Sequence, residues 1–292
     1  MRQGRFAGLV TGLAFTLLAA PSFAQTTPAD PPVVPIKPSK IILVGDSTIQ
    51  PQSGWGASFC GQHIISLAAC LNLARGGRST KSYRAEGSWA LAVNEMKTPG
   101  YVHIWVLIQF GHNDQPGKPG RSTDLATEFP ANLRRYVEET RLAGAIPILV
   151  TPLTRRQFKN GKLLHELQPW AESIRKVAAD MKVPLVDLNA RSAAVIEAMG
   201  PAMATNYAQT RPTPDIMAAA LTGTTSDSDP SAPTPPPPAI PPAAAGAPPY
   251  TARVTPLFDY THLNRAGADL FAGLVTSELA VKVPDMRPLL VP

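Results

Sequence analysis

Along the chain the spacing of apolar positions alternates between two periods. Residues 40–44 form a short β-rich run that ends in a Gly45-Asp46-Ser47 turn. Residues 102–109 form a long apolar run suited to a central buried strand, and 146–150 form another. Shorter strands are expected around 71–73 and over 185–188. Between these runs the period is helical, beginning with an expected helix over 55–67. Leu133, Val137 and Thr140 share one helical face that ends at Gly144, where glycine suits a C-cap. Trp170, Ile174, Val177 and Met181 repeat at helical spacing, with Pro169 suited to the first turn. Leu270, Phe271, Leu274 and Val275 make the face of a last helix. Strands separated by crossover helices imply a parallel sheet covered on both sides. The expected class is therefore α/β, in three layers.

Two stretches break this alternation. Residues 25–38 are rich in Thr, Pro and Asp and read as a disordered leader. A Pro/Ala-rich stretch over about 209–249 includes Thr234-Pro235-Pro236-Pro237-Pro238. Proline neither donates to a ladder nor fits a helix interior, so this stretch is expected to stay extended and disordered. A candidate catalytic motif lies beyond it, so it reads as an insertion within a single domain over 39–292. The first 24 residues read as a cleavable signal peptide: Arg2 and Arg5, an uncharged apolar run over 6–20, then Pro21-Ser22-Phe23-Ala24. The alternative is a membrane anchor, but that run falls short of the ~20 residues a spanning helix needs. The mature chain is expected to be secreted or periplasmic, with no stable membrane insertion.

Charge adds little beyond excluding partners. The formal net charge is +6, and loss of Arg2 and Arg5 would leave +4. The basic residues carry no nucleic-acid-binding motif, so nucleic acid is not an expected partner. Arg155, Arg156, Lys159 and Lys162 are the one local concentration, readable as a solvated face or as an attraction for a polyanionic substrate. Cys60 and Cys70 are the only cysteines, and an oxidising compartment would permit a disulfide; two buried thiols are the other reading. No paired Cys/His spacing suggests a metal, and no glycine loop suggests a phosphate-bearing cofactor.

Three chemistry-bearing motifs fall where an α/β sheet holds its ligands, beyond the carboxyl ends of strands, and a fourth precedes the last helix. Gly45-Asp46-Ser47-Thr48 follows the first strand and exposes a candidate nucleophile, Ser47. Gly76-Gly77-Arg78-Ser79 follows the second, and Gly77 could aim a backbone N–H into a site. Phe110-Gly111-His112-Asn113-Asp114 follows the central strand, where the Asn113 amide could donate to an oxyanion beside the Ser47 and Gly77 N–H groups. Asp259-Tyr260-Thr261-His262 precedes the last helix, and its spacing lets Asp259 orient His262 as general base for Ser47. His112 is a rival base. His63 and His165, on presumed helices, and His103, at a strand start, have weaker claims. Each motif alone also reads as a plain turn; their order is what points to catalysis.

These four blocks in this order resemble the SGNH (GDSL) hydrolase family, with Ser47, Gly77, Asn113 and His262 as its signature residues and Asp259 completing the triad. The stretches 77–83 with 86–89, 109–115 and 151–158 resemble its rhamnogalacturonan acetylesterase-like branch. The proline-rich insertion departs from that pattern. The resemblance implies a flavodoxin-like α/β/α sandwich, an acyl-serine intermediate and no cofactor or metal. It also implies a reaction: removal of O-acetyl groups from an acetylated plant cell-wall polysaccharide such as rhamnogalacturonan. The chain is expected to act as a monomer. Competing readings are a lipase, lysophospholipase or thioesterase on a non-carbohydrate ester, an acyltransferase, and a polysaccharide-binding protein with an idle triad.

Overall fold

The computed structural model describes residues 36–226 and 257–291. The expected signal peptide, nearly all of the leader and most of the proline-rich stretch lie outside these residues. Five parallel strands form the central sheet, in the order β2-β1-β3-β4-β7. They are β1 (Lys40–Gly45), β2 (Ala69–Asn72), β3 (Ile104–Gln109), β4 (Ile146–Val150) and β7 (Leu185–Val186). A separate antiparallel hairpin, β5 (Phe158–Lys159) with β6 (Lys162–Leu163), interrupts the crossover after β4. Helix α1 (Gly56–Gln62) joins β1 to β2, and α2 (Ser82–Ala85) with α3 (Ser88–Met96) joins β2 to β3. Helices α4 (Glu128–Leu142) and α5 (Gln168–Met181) complete the crossovers; α6 (Leu188–Thr205), α7 (Pro214–Leu221) and α8 (Arg265–Lys282) follow β7.

Successive strand residues face opposite sides of a sheet, so each central strand feeds two cores. Ile41 and Leu43 of β1 pack with Trp55, Phe59, Phe271 and Val275, on the side of α1 and α8. Ile42 and Val44 pack with Leu133, Val137, Trp170 and Ile174, on the side of α4 and α5. All six residues of β1 are buried. Burial on both faces explains why this strand reads as a continuous apolar run rather than an alternating one. The three-layer α/β/α architecture matches the class expected from the sequence.

Several local expectations shift. The helix expected over 55–67 stops at Gln62, because the chain's C-terminal end takes the next backbone groups: Val291 N–H donates to His63 O at 2.8 Å, and Ile64 forms a bridge with Leu290. The strand expected over 185–188 is two residues long, because Asp187 caps α6 by accepting from Ala190 N–H. His165 lies in the turn before α5 rather than on a helix. Cys60 and Cys70 form a disulfide linking the end of α1 to β2, which decides between the two readings of that pair.

The proline-rich stretch also needs correction, since 209–226 is ordered. Thr213 caps α7 by accepting from Ile216 N–H, and Pro214 takes the first turn, where its missing N–H costs nothing. Beyond α7 the chain pairs with the β5–β6 hairpin: Gly161 N–H donates to Gly223 O at 2.7 Å and Thr225 N–H to Phe158 O at 3.0 Å. The extended, unpacked reading came from the density of proline further on, and 227–249 lies outside the described residues. Deleting 209–226 is expected to lower Tm by more than about 5 °C, the shift that roughly 2 kcal/mol produces in a domain of this size; thermal unfolding of the deletion and parent chains checks this.

Candidate active site

The turn after β1 is held by buried polar groups as well as by the apolar packing of Ile49 and Trp55. Asp46 is fully buried, and its carboxylate accepts from Thr48 N–H at 2.8 Å and Thr48 Oγ1 at 2.7 Å. Gln109, the last residue of β3, donates from Nε2 to Thr48 Oγ1 at 2.6 Å and accepts from Trp55 Nε1 at 3.0 Å. Glycine is required at position 45, where a Cβ would lie 2.5 Å from Gln109 O. These contacts fix the turn that carries Ser47 above the sheet.

Ser47 and His262 are far apart in sequence and meet directly. His262 Nε2 lies 2.8 Å from Ser47 Oγ, and His262 Nδ1 lies 2.7 Å from Asp259 Oδ2. The other carboxylate oxygen, Asp259 Oδ1, accepts from the N–H groups of Thr261 and His262, both at 2.7 Å. Burial by itself would raise the Asp259 carboxyl. The His262 ring hydrogen bond and charge, with the two backbone N–H groups, outweigh it and bring the group down to about 2. Asp259 is therefore an ionised acceptor at neutral pH, and it leaves the proton of His262 on Nδ1 and the acceptor lone pair of Nε2 towards the serine.

Gly77 and Asn113 follow β2 and β3, the two neighbours of β1 in the sheet, so all three motifs rise from one edge. Gly77 has φ of 77°, in the left-handed region that glycine adopts without strain. Asn113 donates one Nδ2 hydrogen to Arg78 O at 3.1 Å, and its Oδ1 faces Arg121 Nη1 at 3.4 Å. This orientation leaves the second Nδ2 hydrogen for a ligand.

Asp114 ties the blocks that carry these two residues together. Its buried carboxylate accepts from Thr80 N–H at 3.0 Å, Thr80 Oγ1 at 2.5 Å and Thr123 Oγ1 at 3.1 Å. Burial outweighs those hydrogen bonds and pushes the carboxyl up to about 7.

His112 has a different setting. It is buried, with Nδ1 3.7 Å from Asp46 Oδ2, and it takes no part in the bonding of Ser47 Oγ. Burial, then the charges of Arg155, Lys118 and His262, hold it well below the usual imidazole range, so it stays neutral. The other histidines lie elsewhere: His63 bridges Asp269 and Val291 O, and His103 precedes β3.

The basic cluster is divided by the fold. Lys159 and Lys162 are exposed on the hairpin, whereas Arg155 is 6 % and Arg156 0 % exposed. The solvated-face reading therefore fails for both arginines. Arg155 donates to Thr261 Oγ1 at 3.0 Å, Glu166 Oε1 at 3.0 Å and Gln115 Oε1 at 2.9 Å, joining the loop of His262 to the segment after Asn113. Sequence reasoning singled out both residues as part of a basic cluster but did not tie them to the loop of His262, although one signal was available: they follow the carboxyl end of β4, the same edge as the motifs of Ser47, Gly77 and Asn113. Among the described residues, no group of three or more His, Cys, Asp or Glu side chains could hold a metal, and no helix is long and apolar enough to cross a membrane.

A hydroxyl, an imidazole and a carboxylate in hydrogen-bonded series above a parallel α/β sheet is the arrangement of a serine hydrolase. The chain belongs to the GDSL-like lipase/acylhydrolase family, whose model matches residues 43–219, and it is an ester hydrolase. Over 173 residues it is 38% identical to the rhamnogalacturonan acetylesterase RhgT of Bacillus subtilis (strain 168), covering 56% of this chain and 71% of that one. A probable rhamnogalacturonan acetylesterase of the same organism, YesY, is 34% identical over 167 residues, covering 55% and 75% respectively. The crystal structure of Bacillus subtilis YxiM shares the fold, with a TM-score of 0.58 at 23% identity over 85% of this chain and 57% of that one. The family match ends before Asp259 and His262, so the roles of those two residues rest on their geometry.

The raised Asp114 carboxyl makes a signed prediction. The folded state holds a proton there that the unfolded state releases near pH 4, so stability from this group is present below pH 4 and is lost as pH rises towards about 7. Asp114→Asn should remove that loss. Its Tm relative to the parent is expected to rise between pH 4 and pH 8, and a constant difference would count against a protonated Asp114.

Proposed function

We propose that this chain is an exported serine carbohydrate esterase that removes O-acetyl groups from a plant cell-wall polysaccharide, with pectic rhamnogalacturonan as its substrate. The observation that carries the reading is the continuous Ser47–His262–Asp259 series, with contacts of 2.8 and 2.7 Å. His262 Nε2 takes the Ser47 proton as Oγ attacks the acetyl carbonyl carbon. The oxyanion that forms accepts from the Ser47 and Gly77 N–H groups and from Asn113 Nδ2. Collapse expels the sugar oxygen, which receives its proton from His262 and leaves acetyl-Ser47. Water, deprotonated by the same imidazole, attacks that ester and returns Ser47 with release of acetate. Asp259 keeps the imidazole in the productive tautomer and balances its charge during both steps.

The carbohydrate substrate is supported by the names of the relatives at 38% and 34% identity. Export is supported by the apolar run behind Arg2 and Arg5 and by the Cys60–Cys70 disulfide, which persists in oxidising compartments. Acetate release from acetylated rhamnogalacturonan and acetylated xylan tests the reading. Release from the pectic substrate is expected, and Ser47→Ala should lower it by at least about a thousandfold with an unchanged fold. Asn113→Ala should cost roughly a hundred- to a thousandfold in kcat, the usual loss for one oxyanion donor. Activity confined to longer acyl esters would overturn the carbohydrate substrate, and activity surviving in Ser47→Ala would overturn the nucleophile.

A further inference from the structure

The loop over 259–262 lies outside any helix or strand, so its shape depends on where its backbone groups find partners. Its N–H groups at Thr261 and His262 go to Asp259 Oδ1. Three of its carbonyls accept from one residue. Arg156 donates its backbone N–H to Tyr260 O at 3.0 Å, Nη1 to Thr261 O at 3.2 Å and Nη2 to His262 O at 2.8 Å. Three consecutive carbonyls are thus held by a single side chain and its own peptide group. His262 O also accepts from Gln209 N–H at 3.0 Å, so both its lone pairs are engaged.

The choice of arginine is costly unless the fork is needed. Arg156 is fully buried, and among the described residues no carboxylate oxygen lies within ion-pair distance of it. Removing a guanidinium from water without an ionic partner is expensive, and an apolar side chain would pack there at lower cost. Burial brings its pKa down to about 10 against the attraction of Asp259 and Tyr260, so it is still charged at neutral pH. What a guanidinium offers is two donors in one rigid plane, spaced to meet two adjacent carbonyls; a lysine ammonium has no such fork.

We propose that Arg156 is a positioning residue of the ester-hydrolysing site: by holding the carbonyls of Tyr260, Thr261 and His262, it keeps the His262 imidazole in line between Asp259 and Ser47. The guanidinium acts from behind the loop, through the backbone, without touching the reacting atoms. The inference rests on the triad reading above, because it concerns the ring that reading makes the base. A displacement of about 1 Å at a reacting group can cost on the order of a hundredfold in rate, so a loosened loop should be visible in kcat before it is visible in substrate affinity.

The test uses the full chain with Arg156→Met, which removes charge and fork, and Arg156→Lys, which keeps the charge and loses the fork. Four quantities are read: kcat and KM on 4-nitrophenyl acetate, Tm, and the low-field proton resonance of His262 Nδ1–H bonded to Asp259. Arg156→Met, folded at the assay temperature, is expected to lose about tenfold to a hundredfold in kcat. KM should stay within about threefold and the low-field resonance should be lost, with Arg156→Lys falling between it and the parent. A folded Arg156→Met with kcat within threefold of the parent, or with lower kcat and an intact resonance, would overturn the proposal. If Arg156→Met does not fold, Arg156→Lys decides: a loss of threefold or more in kcat with a weakened resonance supports the positioning role, and a smaller loss overturns it. Ser47→Ala in the same assay separates the two ideas, since residual turnover there would sink the triad reading whatever the Arg156 variants do.

Discussion

The site depends on one electrostatic arrangement, the ionised Asp259 carboxylate that organises an otherwise irregular loop. One oxygen takes the His262 ring and the other takes two backbone N–H groups, so the same charge shapes the loop and selects the tautomer of the base. An exposed ion pair would contribute little in water. Here the carboxylate collects three donors in a partly buried setting, where hydrogen bonds to a charged acceptor are stronger than neutral ones. Ser47 gains a proton acceptor only because that loop is held against the end of β1.

The remaining polar groups around the site form a frame that links the strand ends. Asp46 and Gln109 hold the Ser47 turn, and Asp114 with Thr80 ties the Gly77 segment to the Asn113 segment. Arg155 reaches from the end of β4 to Thr261 and Gln115, so the loop of the base is tied to the segment that follows Asn113. Buried polar groups of this kind are costly when a partner is missing. A rigid frame of fixed dipoles is also what an oxyanion site requires, because its donors must already point at the charge when it forms. The same side chains therefore serve stability and chemistry.

The order of the sheet gives the frame its geometry. With β1 between β2 and β3, the segments carrying Ser47, Gly77 and Asn113 leave the sheet side by side, as expected where connections run out in opposite directions from a central strand. The fourth block arrives from the far end of the chain by another route. Helix α8 packs on the core that contains α1, and Leu263 N–H donates to Ser53 O at 2.9 Å, securing the loop beside the nucleophile turn.

Much of this was legible in the order of residues, and the parts that were not share a cause. Apolar runs and helical spacing identified β1, β3, α4, α5 and α8, because burial on one or both faces of an element imprints a local period. The motifs carrying Ser47 and Asn113 were visible because active-site turns follow strand ends, and the one carrying His262 because a carboxylate and an imidazole stand three residues apart before the last helix. What the sequence left open, or misread, involved partners distant along the chain. Whether Cys60 met Cys70, where α1 ended against the residues near Leu290, and whether 209–226 packed were decided by neighbours that no local pattern names. Arg155 and Arg156 are the sharpest case, since two adjacent arginines look like a surface in any sequence. Only the tertiary structure turned them inward: Arg156 meets the carbonyls of a loop about a hundred residues away, and Arg155 meets side-chain oxygens of Thr261, Glu166 and Gln115.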